Sequence, residues 1–62
     1  MNMYEITYQK EYPDGDMSVV FKHQVISSTE LNAVAFFGQV FNRYENYALH
    51  IHNVDLVKVL PE

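Results

Sequence analysis

Residues 4–12, YEITYQKEY, alternate: Tyr4, Ile6, Tyr8 and Tyr12 fall on one side, Glu5, Thr7, Gln9 and Glu11 on the other. A period of two over nine residues is the pattern of a strand with one buried face, and it excludes an amphipathic helix. It also demands a second layer, because the tyrosine side must be covered. "PDGD" follows at 13–16, with Pro13 fixing φ and Gly15 supplying a positive φ, so the chain turns there. Residues 17–26, MSVVFKHQVI, alternate again and put Met17, Val19, Phe21, His23 and Val25 on one face. The two runs form a hairpin.

Its register has two candidate solutions. A four-residue connection, 13–16, sets Tyr8 opposite Phe21 and Tyr4 opposite Val25, all on the apolar face. A three-residue Pro-Asp-Gly loop with a glycine bulge is a common hairpin ending, but it sets Ile6 opposite Lys22. A slip of one residue turns every side chain over, so the hydrophobic match selects the first solution.

The covering layer is supplied by "STELNAVAFFGQVF", residues 28–41. Ser27 and Glu30 fit a capping box, in which the serine caps an early amide and the glutamate reaches back. On a helical wheel Leu31, Val34, Ala35, Phe37, Gly38 and Phe41 form the apolar arc. Gly38 is expected to let the helix sit close over the sheet, where a larger side chain would overpack. The helix is expected to fray between Arg43 and Asn46. The tail, YALHIHNVDLVKVL, is rich in β-branched residues and reads as a third strand, with a bulge or break where Asn53 interrupts its alternation. The predicted architecture is α+β, in the order β-β-α-β: one helix packed on a three-stranded, mainly antiparallel sheet, in a single domain spanning 1–62. The last strand is placed antiparallel beside the first.

At 62 residues this core is small, and the chain has no cysteine, so no disulfide or cysteine–zinc site supports it. The net charge is −4, and the four basic residues, Lys10, Lys22, Arg43 and Lys58, are scattered. No basic stripe exists to track phosphates, which disfavours nucleic acid as a partner. No apolar run reaches membrane-spanning length and no signal-peptide pattern opens the chain, so a cytoplasmic protein without a membrane partner is expected.

Candidate chemistry is sparse. His50 and His52 share a side of one strand, but a metal site needs a further ligand, and the spacing does not assign His23 or Asp55 to that role. His23 sits between Phe21 and Val25 with no nucleophile motif beside it, and reads as a rim residue with one nitrogen in water. Ser18, Ser27 and Ser28 lack an oxyanion context. With only Gly15 and Gly38 there is no phosphate-cradling loop. The tyrosine stripe reads as core rather than as a base-stacking platform, because it shares its face with Ile6. No catalytic constellation and no cofactor are predicted.

What remains is surface. Phe36 and Phe37 are neighbours, and residues one apart on a helix point about 100° apart, so one core does not hold both rings. With Phe37 inward, Phe36 falls outside with Asn32, Gln39 and Arg43, and Val40 and Ala33 lie at the edge beside it. Phe36, Val40 and Arg43 form the predicted contact patch, since aromatics and arginine concentrate where interfaces have their energetic centres. Glu5, Glu11, Asp14 and Asp16 gather on the hairpin's solvent face and turn, and add an acidic surface suited to a basic partner. An unpaired outer strand is a second possible contact.

The hairpin, the Ser-capped helix opening "ISSTELNAVAFF" and the closing "VDLVKVLPE" strand together resemble short phage-encoded proteins that bind and redirect host machinery. The T7-type inhibitors of bacterial RNA polymerase have a similar layout and acidic character. The resemblance is one of architecture over most of the chain, with no functional motif matched residue by residue. It implies a non-catalytic inhibitor or modulator of a host protein, and it assigns no target. Two alternatives come from the residues: a structural homodimer, which a thin core and an outward Phe equally suit, and a histidine-based metal-binding protein.

Overall fold

A computed structural model describes residues 1–42 and 47–61. The elements are β1 (Asn2–Glu11), β2 (Phe21–Ser27), α1 (Glu30–Asn42) and β3 (Ala48–Val59). They form one three-stranded sheet in the order β2-β1-β3, with both pairings antiparallel. The fold is therefore α+β with β-β-α-β order, and β3 lies beside β1 as expected.

Both hairpin solutions are present, each in its own stretch. Tyr4 faces Val25 and Tyr8 faces Phe21, the register selected by hydrophobic matching. The loop, however, is the three-residue one. The Gly15 amide donates to the Tyr12 carbonyl at 2.9 Å, the Tyr12 amide donates to the Asp16 carbonyl at 2.8 Å, and Gly15 has φ 91°. Glu11 bridges Met17, and the Ser18 amide donates to the Lys10 carbonyl at 2.8 Å. Between these two registers Val19 and Val20 stand against Gln9 alone. One extra residue absorbs the conflict: the turn obeys local backbone preference, and the ladder beyond it obeys burial. As a result β2 begins only at Phe21, and Met17, Val19 and Tyr12, expected on the apolar face, are exposed.

In β3 the register against β1 shifts between Thr7 and Tyr8, which leaves His52 as the extra residue next to Asn53. This is the expected irregularity, one position away. A second shift, between Met3 and Tyr4, makes Val57 an extra residue and has no counterpart in the sequence reading.

The helix cap is Thr29, not Ser27. Thr29 Oγ1 accepts the Asn32 amide at 3.1 Å, and its carbonyl accepts the first helical bond from Ala33 at 3.0 Å. Ser27 is still in β2, paired with Asn2. Asn32 Nδ2 donates to Ser28 Oγ at 3.1 Å, a side-chain contact in place of the backbone amide that a capping-box Glu30 accepts. Starting two residues later leaves the wheel unchanged but not its orientation. Ala33 and Phe37 are buried, whereas Leu31 and Ala35, expected inside, are exposed. The helix is turned toward Ala33 by somewhat less than one 100° residue step. Gly38 consequently meets nothing: a Cβ built there has no neighbour within 4 Å. The expected close approach at Gly38 is absent. The Phe41 side chain, also assigned inward, and the predicted fraying at 43–46 lie outside the described residues.

The core among the described residues is Tyr4, Ile6, Tyr8, Val25, Ala33 and Phe37, with Leu49 and Val54 packed against it. Tyr8 is its hub, stacked on Phe21 at 5.6 Å and edge-on to Phe37 at 4.8 Å. Burial raises the Tyr8 phenol above its ordinary 10.0, because the phenolate loses its hydration. Above pH 10 the unfolded chain releases this proton before the folded chain does, so stability falls as pH rises through that range. Urea midpoints measured from pH 8 to 11 should decline, and Tyr8→Phe should flatten the alkaline part of that decline. An unchanged slope in the variant would assign the alkaline loss to other groups.

Candidate protein-binding surface

The helix presents its second phenylalanine to solvent: Phe36 is 59% exposed, and Val40, one turn on, is 43% exposed. Their i, i+4 spacing places the two on one ridge, adjacent to the buried row of Ala33 and Phe37. The Thr29 cap and Glu30 in the first turn fix where the helix begins. Arg43, the third residue of the predicted patch, lies outside the described residues.

The acidic residues do not join this patch. Side chains at odd positions of β1 point to the sheet face away from α1, which separates Glu5 and Glu11 from Phe36 by the thickness of the sheet. Each has a basic neighbour. Glu5 Oε1 lies 3.8 Å from Lys22 Nζ, and Glu11 Oε1 lies 2.9 Å from His50 Nε2. Asp14 Oδ1 accepts the Asp16 amide at 3.0 Å, an Asx-type contact that shapes the turn. The four carboxylates therefore spread along the helix-free face and the turn.

His50 and His52 do share that face. The Nε2 of His50 reaches Glu11, and that of His52 lies 2.7 Å from Gln9 Oε1. Carboxylate and amide oxygens only accept, so both imidazoles donate from Nε2. These bonds tie β3 to the far end of β1, and the bulge at His52 keeps both rings over the same strand. His23 lies on the helix face with its ring 5.5 Å from that of Phe37. His23 is thus on the other side of the sheet from the pair, and among the described residues no group of three or more metal-ligating side chains comes together. On the helix side Lys10 covers the Phe21 and Tyr47 rings at 5.3 and 4.8 Å.

Sequence reasoning missed a further set of exposed apolar side chains: Ile26 at 55%, Leu31 at 79%, and Leu56, Val57 and Val59 at the end of β3. Leu56 stands opposite Tyr4 and Val59 opposite Asn2, on the helix side of the sheet, with Val57 the extra residue between the two registers, and a single-residue insertion leaves no signal in composition. No helix among the described residues is long and apolar enough to cross a membrane.

The fold and this surface define the class: a small α+β protein with one helix on one face of a three-stranded sheet. No family model, curated protein or solved structure matches the chain.

Proposed function

We propose that the chain is a non-catalytic protein-binding module that docks on a larger protein through the Phe36–Val40 ridge. The observation behind this reading is the exposure of Phe36, 59%, directly beside Phe37, which is 1% exposed. Covering such a ring contributes about 2 kcal/mol, enough for one side chain to anchor an interface. The architectural resemblance to phage-encoded inhibitors makes a bacterial host protein the expected partner, and inhibition or redirection of that protein the expected effect. Glu5, Glu11, Asp14 and Asp16, on the opposite face and the turn, act as long-range steering charge rather than as part of the anchor.

The test is affinity capture from bacterial lysate with wild type, Phe36→Asp and Lys58→Gln. Lys58 is exposed opposite Met3, on the sheet face away from α1, and its substitution changes the net charge by the same one unit. Wild type and Lys58→Gln are expected to retain a common partner that Phe36→Asp loses. Retention of every partner by Phe36→Asp would remove the helix ridge from the function.

A further inference from the structure

We propose that two copies of this chain pair antiparallel through their β2 strands, about a two-fold axis at Gln24, to form one six-stranded sheet. The inference shares the helix ridge with the function proposed above, but its central residue, Gln24, lies outside that ridge.

The two sheet edges differ. β3 shifts register twice against β1, and bulges of this kind blunt an edge against further pairing. β2 runs against β1 for seven consecutive pairs, Phe21 to Ser27, without a shift. It carries no proline, and its one lysine, Lys22, leans on Glu5 of its own chain. The regular edge is the one suited to another strand.

A second copy fits this edge by symmetry. In a two-fold antiparallel pair, opposed residues share a face, so their numbers must sum to an even value. A sum of 48 uses the whole strand: Gln24 faces Gln24, His23 faces Val25, Lys22 faces Ile26 and Phe21 faces Ser27. It keeps the two lysines apart and sets Ile26, 55% exposed, beneath the aliphatic stem of Lys22. Neighbouring even registers leave strand residues unpaired.

Size points the same way. The radius of gyration is 12.5 Å, against about 10.6 Å for a compact chain of this length. A stable dimer buries about 800 Å² per partner, close to a fifth of the 4419 Å² surface, which is more than a strand edge alone supplies. The helix supplies the rest. Because β2 and β3 both run antiparallel to β1, they are parallel to each other, and a connection between parallel strands of one sheet is right-handed in nearly all cases. In that hand the Phe36–Val40 flank of α1 overhangs β2, so the axis that pairs the strands also brings the two ridges together.

The chain has no cysteine, so Gln24→Cys introduces one thiol per copy. Directly opposed strand residues have Cα atoms about 4.5–5.5 Å apart, within disulfide range. Wild type should sediment at twice 7.3 kDa at high concentration. Mild oxidation should link Gln24→Cys quantitatively but leave Lys22→Cys, four residues off register from its own copy, mostly unlinked. Gln24→Lys and Gln24→Glu should each sediment as folded monomers, with the dimer restored when they are mixed. A 7.3 kDa wild type at millimolar concentration would overturn the proposal. So would a dimer that both charged variants leave intact, or equal linking of the two cysteine variants, either of which places the contact elsewhere. These measurements use purified protein with no host partner present, so their outcomes do not depend on whether Phe36 binds a host protein.

Discussion

Phe37→Ala is expected to leave the chain largely unfolded at 25 °C, while Phe36→Ala, one residue away, leaves its melting temperature nearly unchanged. Phe37 is 1% exposed and packs on Tyr8 and His23. Truncating a buried Phe costs about 3–5 kcal/mol through lost transfer energy and the cavity left behind. Chains of this size have roughly 3–9 kcal/mol in total, at 0.05–0.15 kcal/mol per residue. With six buried side chains in the core of the described residues, little else can compensate. Circular dichroism with urea titration reads both variants. A cooperative transition in Phe37→Ala within about 1 kcal/mol of wild type would mean that the helix is seated on other residues.

The two glycines should respond with opposite signs. Gly15 has φ 91° and closes the three-residue loop, so Gly15→Ala forces an L side chain into the left-handed region at about 1–2 kcal/mol. Gly38 lies in the helix with nothing within 4 Å of an added Cβ, so Gly38→Ala should gain up to about 1 kcal/mol from helix propensity. Gly38→Leu should be tolerated as well, the reverse of what a close helix–sheet approach at that point implies. Thermal melts of the single variants and of the double variant check this, and the two effects should add, since the sites share no partner. A destabilised Gly38→Ala would show that the glycine is needed for something other than space.

Much of this molecule was legible in the chain because alternation is a strong local signal. The buried face of β1 and the pairing of Tyr4 with Val25 and of Tyr8 with Phe21 follow from it, while the order β-β-α-β and the outward Phe36 need the helical period as well. Less legible were the features where two local rules compete. The loop preference of Pro-Asp-Gly and the hydrophobic register disagree by one residue, and only the assembled sheet reveals that Val19 and Val20 take up the difference against Gln9. The cap was misplaced because Ser27, Ser28 and Thr29 all carry a hydroxyl, and which of them caps depends on how far β2 stays paired with β1.

The sequence by itself determined the two periodicities, the turn at Gly15, the absence of disulfide support and the presence of one phenylalanine too many for a single helical face. Tertiary structure alone decided the rotation of α1, which buries Ala33 and frees Gly38, and the second bulge, at Val57 near the exposed end of β3. It also decided the side of the sheet on which each charge lies, parting Glu5 and Glu11 from the helix ridge. The reason is physical. Periodicity is a property of neighbours along the chain, whereas rotation and register minimise exposed apolar area over the whole sheet, and one residue inserted in one strand changes that sum for every residue beyond it.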